Sequence, residues 1–337
     1  MIRLLERRAA LRVVVVLLAA VVAAAALAAP TATSGQSGKP AQVGVLSSTL
    51  PRTAVFYRAF EQRLAELGYA EGRTVAIHFR TAEGRPERLP GLAEELVRLK
   101  VDVLVAGGPE ATLSAARQAS SEIPIVMVAI DYDPVARGHV SALGRPGGNI
   151  TGLFIRQIEL TRKRVELVKE AIPGARRVAV LWDGFSADQF REAESTARAM
   201  GLEVASLEQR RVPYELDRAL KAAGSKGADA LVILASPVFF AERTRLLRLA
   251  LAHRLPAMTA QREWVEAGAL MSYGANYSEM FRRAADVVDR VLRGARPADL
   301  PIEQPTRFEL VVNLGTARSL GLELPGSVLV RADEVVK

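Results

Sequence analysis

The order of short apolar strands and amphipathic helices in this 337-residue chain occurs twice, and that repetition constrains the fold more than any other feature. In the first half, a strand over 42–47 precedes a helix that stops at Gly68, a strand over 73–80, another helix and the run VDVLVAGGP. A further helix and IPIVMVA follow. In the second half, a strand over 177–182 precedes a helix that stops at Gly201, a strand over 203–208, a helix and ADALVILASP, then a helix and LPAMTA. The landmarks also match. Asp102 and Asp229 open equivalent strands, Pro109 and Pro237 mark equivalent strand-to-helix turns, and Pro124 and Pro256 begin equivalent strands. Continuous apolar runs of this kind suit parallel strands buried on both faces, because helices then cover both sides of the sheet. Two copies of a β-α-β-α-β-α-β unit predict an α/β protein made of two doubly wound lobes. Further strands are expected over 150–155, 269–273 and 307–313, and helices over 159–171 and 277–293.

Composition narrows the class. Half of the residues are hydrophobic, which excludes a disordered chain, and the length suffices for two domains with separate cores. Of the formal charge of +8, a net +3 comes from Arg3, Arg7, Arg8 and Arg12 against Glu6. The remaining excess is mixed with acids, and no basic block interleaves with aromatics, so no nucleic-acid partner is expected. The same basic stretch is followed by an apolar run from Val13 to Ala29 that contains Ala26-Leu27-Ala28, a small-x-small cleavage pattern. Residues 1–28 read as a signal peptide; retention as a membrane anchor is the competing reading, disfavoured by the Ala-rich end. Residues 29–40 read as a linker. The chain has no cysteine, hence no lipid anchor through a processed N-terminal cysteine, no disulfide and no thiolate metal site. A periplasmic, freely diffusing protein is expected, and a monomer.

In a doubly wound sheet, ligands bind outside the carboxyl ends of the strands. Two such lobes facing each other would enclose a cleft lined by Ser47-Ser48-Thr49, Gly107-Gly108-Pro109-Glu110-Ala111, Asp131-Tyr132-Asp133, Trp182-Asp183, Ser236-Pro237, Gln261-Arg262-Glu263 and Tyr273-Gly274. Gly108-Pro109 and Ser236-Pro237 lead directly into helices, whose N-terminal N–H groups favour an anion such as a carboxylate. Asp131, Asp133 and Asp183 offer partners for an ammonium or for hydroxyls. Each of these residues could equally be an ordinary turn. Enzymatic signatures are missing: His78, His139 and His253 lack metal-ligand spacing, and no phosphate loop or nucleophile elbow occurs. Neither catalysis, a metal nor a cofactor is expected.

From about residue 40 onward the chain resembles the ABC-transporter substrate-binding proteins of the type linked to tryptophan and tyrosine uptake. The resemblance rests on LAELGYAEGRTVAIHFRTAEGRPERLPGLAEELVRLKVDVLVAGG, IPIVMVAIDYDPVARGHVSALGRPGGNITG, KRVELVKEAIPGARRVAVLWD, REWVEAGALMSYGANYSEMFRRAADVVDRVLRGARPADLPIEQPTRFELVVNLGTARSLGL and the terminal RADEV. It implies a type I periplasmic-binding-protein fold, with lobes of 41–155 plus 277–305 and 156–276 plus 306–337 joined by hinge strands near 152–158, 274–279 and 303–308. It also implies ligand contacts from Ser47, Ser48, Pro109, Glu110, Ala111, Asp133, Asp183, Ser236, Arg262 and Tyr273, to which Gly108 and Asp131 are added from the loop reading. Many relatives read Gly-Thr-Pro where this chain has Gly107-Gly108-Pro109. A hydroxyl contact is lost there, and the backbone N–H groups remain. The implied role is capture of a small solute, an amino acid or another carboxylate, for delivery to a permease of the inner membrane and, through it, an ATPase. A ligand-sensing module for a separate signalling partner is the alternative.

Overall fold

The computed structural model describes residues 39–337 other than Val212, so the expected signal peptide lies outside the described residues. Five strands form the first sheet: β1 (Ala41–Ser47), β2 (Val75–Thr81), β3 (Val103–Gly108), β4 (Ile125–Ile130) and β5 (Ile150–Ile155), in the order β2-β1-β3-β4-β5 and parallel throughout. The second sheet holds β6 (Arg177–Asp183), β7 (Glu203–Gln209), β8 (Ala230–Ile233), β9 (Ala257–Thr259), β10 (Met271–Gly274), β11 (Glu309–Asn313) and β12 (Glu334–Val336). Its order is β7-β6-β8-β9-β10-β11-β12, with only the β10–β11 pair antiparallel. The first five strands of each half therefore share one winding. In both lobes the switch point, where successive connections leave in opposite directions, lies between the first and third strands.

The matching aspartates have a shared structural reason. Asp102 Oδ2 accepts from the Gln42 N–H at 2.7 Å, and Asp229 Oδ2 accepts from the Arg176 and Arg177 N–H groups at 2.7 and 2.9 Å. Each carboxylate occupies backbone donors at the start of the neighbouring first strand, which would otherwise lack a ladder partner.

Helices cover both faces of the first sheet. α1 (Val55–Glu66) buries Phe56, Tyr57, Phe60 and Leu64, a helical stripe, and ends before Gly68 at φ 95°. α2 (Leu89–Arg98) and α3 (Glu110–Ala119) pack on the opposite face. After β5 the chain crosses into α4 (Gln157–Ala171), which packs with α5 (Ala187–Ala199) on the second sheet. α6 (Leu216–Ser225), α7 (Pro237–Ala241) and α8 (Arg243–Ala252) follow on its other side, then α9 (Arg262–Glu266). α10 (Tyr277–Leu292) returns to the first lobe, against α1 and β3–β5. The chain then runs along β5, where Phe154 and Glu303 exchange backbone bonds with each other's neighbourhood: Phe154 N–H to Glu303 O at 3.0 Å and Glu303 N–H to Gly152 O at 2.9 Å. It crosses once more into β11, α11 (Leu314–Leu320), α12 (Gly326–Arg331) and β12.

The single helix expected over 238–253 is broken at Glu242. There Arg243 turns back to donate to the Phe240 carbonyl at 3.0 Å and places its guanidinium 4.5 Å from that ring's centroid. Strand residues alternate between cores as the pleat requires: Val178 and Val180 enter one cluster, Ala179 and Leu181 the other. That second cluster is continuous with the first lobe, running from Leu181, Leu231 and Ile233 through Phe240, Phe56, Tyr277 and Phe281 to Val43, Val105 and Val126. Apolar packing thus joins the lobes across the mouths of their sheets.

Candidate functional site

Between the two switch points lies a pocket of about 60 Å³ that residues of both lobes line. The first lobe lines it with Ser47 and Ser48 after β1, Gly107, Gly108 and Pro109 after β3, and Ile130 and Asp131 after β4, with Leu50, Phe56, Tyr57, Tyr277 and Phe281 from α1, α10 and their approaches. The second lobe adds Phe185 after β6, Ala235, Ser236, Pro237 and Phe240 after β8, and Gln261 after β9.

Six of its lining residues are aromatic. Phe56 meets Phe240 across the lobes at a centroid distance of 4.8 Å, Tyr277 at 5.5 Å and Phe281 at 5.9 Å, and Tyr57 meets Phe281 edge-on at 5.1 Å. The paired glycines follow from this packing. A Cβ on Gly107 would stand 3.2 Å from the Phe281 ring and from the Tyr57 hydroxyl. Gly108 has φ +120°, and a Cβ there would come 3.3 Å from Ser48 Oγ. A side chain at Gly108 is strained by its backbone alone.

The polar groups of the pocket are few and unequal. Asp131 sits in the left-handed region at φ 68°. Its Oδ2 accepts from Gln189 Nε2 at 2.7 Å, while Oδ1 is buried with no hydrogen-bond partner among the described residues. Burial pushes this carboxyl up to about 7, against the opposing pull of the Gln189 bond and the Arg164 charge. Gln189, on α5, is itself clamped to the Ala235 peptide, donating to its carbonyl and accepting from its N–H, both at 3.0 Å. The Asp131–Gln189 bond is therefore a direct link between lobes. At the floor, Arg164 is wholly buried. It donates to the Tyr273 carbonyl at 2.7 Å and to Gln157 Oε1 at 2.6 Å, and Gln157 donates onward to the Tyr277 hydroxyl. Burial lowers the guanidinium to about 10.

Ser47, Ser48, Gly108, Pro109, Asp131 and Ser236 come together in this lining. The other residues singled out in the sequence stand elsewhere. Glu110 Oε1 lies 2.9 Å from His139 Nε2, and Ala111 follows it outward on α3. Asp133 accepts from the Val135 and Ala136 N–H groups at 2.9 and 3.1 Å and borders an adjoining cleft with Arg137, Arg156 and Asp188. Arg262 forms ion pairs with Glu266, Glu309 and Glu334. The Tyr273 ring packs near Phe308, and its carbonyl serves Arg164. Asp183 is wholly buried beneath the pocket and touches Ser236 rather than the open space. Phe56, Tyr57, Phe185, Gln189, Phe240, Tyr277 and Phe281 escaped the loop reading because most of them lie on helices. The i, i+4 pair Tyr277 and Phe281, preceded by the N-cap Asn276, was the available signal.

Among the described residues no group of three His, Cys, Asp or Glu side chains could hold a metal ion, and no helix is long and apolar enough to cross a membrane. Comparison with known proteins decides the family: the sequence profile of the ABC transporter substrate binding protein family matches residues 51–336, most of the chain. The chain belongs to this family. As an ABC transporter substrate-binding protein it has the type I periplasmic-binding-protein fold, shared with its solved relatives. It is 26% identical over 270 residues, 79% of its own length and 76% of the relative's, to a tyrosine-binding protein of Clostridioides difficile (strain R20291). The crystal structure of a conserved domain protein from Vibrio cholerae superposes with a TM-score of 0.78 at 26% identity, over 88% of this chain and 100% of that one. A domain from Streptococcus pneumonia in complex with L-Trp gives 0.76 at 26% identity, over 88% and 100%.

Proposed function

We propose that this substrate-binding protein is exported, captures an aromatic amino acid between its lobes and delivers it unchanged to the permease of an ABC importer. The observation that carries the reading is the pairing of an aromatic-lined interlobe pocket with a buried carboxylate oxygen, Asp131 Oδ1, that has no partner among the described residues. A buried, unpaired acceptor costs free energy that a docking ammonium would return. The solute carboxylate faces the opposite side, toward Ser48 and the N-terminus of α3, where Thr112 Oγ1 is also buried and without a partner among the described residues. The ring then lies among Phe56, Phe185, Phe240 and Tyr277. The name of the tyrosine-binding relative and the L-Trp bound to the streptococcal one support the same class.

Lobes of 41–155 plus 277–305 and 156–276 plus 306–337 close as units about the three crossings. Closure is favoured by the solute only because it bridges groups from both lobes, giving the closed form a binding advantage over the open one. Isothermal titration with L-tyrosine, L-tryptophan, L-phenylalanine, benzoate and L-leucine tests the reading on the exported, processed protein. The aromatic amino acids bind, benzoate binds at least tenfold more weakly for want of an ammonium, and titrated solute is recovered intact by mass. Absence of binding by all three aromatic amino acids sinks the proposal.

A further inference from the structure

Resting on that reading, we infer that Phe185 is the ring against which the solute's aromatic ring stacks, and that Asp183 is a positioning residue that sets the place of this ring. Six aromatic side chains line the pocket. Phe56, Tyr57, Phe240, Tyr277 and Phe281 are engaged with one another, at centroid distances of 4.8 to 5.9 Å. Phe185 forms no aromatic pair among the described residues and is only half-buried in the cleft. Its π-face is the one left for a guest.

The ring is held on an unusually determined turn. Phe185 belongs to a single 3₁₀ turn, Gly184–Ser186, that leaves β6 at the switch point of the second sheet. Asp183 Oδ1 accepts from the Phe185 N–H at 3.0 Å and from Ser186 Oγ at 3.0 Å, and the Ser186 hydroxyl accepts from the Asp183 N–H at 3.0 Å, closing a capping box. Asp183 Oδ2 accepts from the Tyr214 hydroxyl at 3.0 Å and from Ser236 Oγ. Ser236 in turn caps α7, accepting from the Val238 N–H at 3.2 Å, and α7 carries Phe240. One carboxylate thus fixes both aromatic walls that the second lobe contributes. With two donors on each oxygen, it has no free capacity for a solute ammonium. Asp131, with a whole oxygen unpaired, is its opposite.

The test compares L-phenylalanine with β-cyclohexyl-L-alanine, which fills similar space without a π-face. Affinities come from titration calorimetry, and ring-current shifts of bound phenylalanine from NMR. The native protein prefers phenylalanine by about five- to tenfold, the size of effect that one stacked pair supplies, and the bound ring protons move upfield. Phe185→Leu, which keeps an apolar side chain, removes the preference and the upfield shift, and Phe185→Tyr restores both. Asp183→Asn reduces the preference and alters the shift without abolishing the binding of cyclohexylalanine. Where Asp183→Asn does not fold, Ser186→Ala, which opens the capping box alone, carries the same expectation. A preference and ring-current shift unchanged in Phe185→Leu overturn the stacking role. A preference unchanged in the folded Asp183 or Ser186 variant overturns the positioning role. Failure of the native protein to bind phenylalanine, tyrosine or tryptophan overturns the underlying reading and the inference together.

Discussion

Asp131→Asn should make the empty protein more stable and the loaded protein weaker, and both effects should follow pH. Asparagine tolerates the left-handed backbone at φ 68° and has nearly the same shape, so the substitution tests charge. The carboxyl is pushed up to about 7, chiefly by burial, with Oδ2 bonded to Gln189 and Oδ1 unpaired. Around it stand Arg164 and Arg156 of the second lobe, Arg137 of its own loop, the acids Asp133 and Asp188, and the Tyr277 hydroxyl, so no carboxylate–guanidinium contact compensates its charge directly. Between about pH 4 and pH 7 the folded empty protein binds this proton more tightly than the unfolded chain. Stability therefore falls as pH rises through that window, and the full penalty stands above it. Roughly three pH units at 1.36 kcal/mol each set a ceiling of about 4 kcal/mol. The side chain is only partly withdrawn from solvent, so the expected gain in Asp131→Asn is about 1–2 kcal/mol at pH 8, vanishing at pH 4. With solute the sign reverses. Loss of a charge-assisted bond worth about 1.5–3 kcal/mol weakens aromatic amino acid binding by roughly 10- to 150-fold. Native affinity should also rise with pH through about 7 as the carboxyl ionises, a dependence missing in the variant. Thermal unfolding from pH 4 to pH 8 and calorimetry in buffers of different ionisation heat read both effects. An empty variant less stable than the native protein at pH 8, or native affinity independent of pH between 6 and 8, would refute the reasoning.

Three further substitutions probe the frame around the pocket. Gly152→Ala would place a Cβ 2.1 Å from the Met127 carbonyl oxygen at φ +130°, so β5 must shift against β4; a loss of about 3 kcal/mol or more in denaturant unfolding is expected. Gly108→Thr meets φ +120° and a 3.3 Å approach to Ser48 Oγ, and should cost about 1–3 kcal/mol by thermal unfolding unless the turn rearranges. Arg164→Leu leaves the Tyr273 carbonyl and Gln157 Oε1 without their donors, so about 2–4 kcal/mol of stability should be lost, read by calorimetry of the empty protein.

Much of the fold was legible in the sequence because its signals are redundant. An apolar run such as ADALVILASP has one comfortable home, a parallel strand covered on both faces, and the paired landmarks Asp102/Asp229 and Pro109/Pro237 bracket the same turns in both lobes. The chain's last 24 residues were less readable. β12 is three residues long and largely exposed, so no apolar period announces it. The break at Glu242 was invisible for another reason: α7 and α8 read as one amphipathic segment, and the single residue between them carries no breaker signal. Strand-end loops located the pocket, since Ser47, Ser48, Gly108, Pro109, Asp131 and Ser236 all border it. The rings did not follow from that rule. Phe56, Tyr277 and Phe281 have the spacing of ordinary core residues, and a helix face that lines a pocket looks in sequence like one that lines a core.

The two aspartates show where a sequence stops being informative about a site. Asp131 follows the C-terminal end of an apolar strand and Asp183 ends another, and both are raised by burial. Nothing in either neighbourhood of the sequence separates a carboxylate that waits for a ligand from one that holds a turn. The difference lies in donors that arrive from far along the chain. Tyr214 and Ser236 reach Asp183 from 31 and 53 residues away and fill its second oxygen, whereas Asp131 receives Gln189 across the gap between the lobes and, among the described residues, keeps one oxygen without a partner. Counting donors against lone pairs assigns the roles: a saturated carboxylate belongs to the scaffold, and an unsaturated one, buried beside unpaired aromatic surface, belongs to whatever the cleft admits.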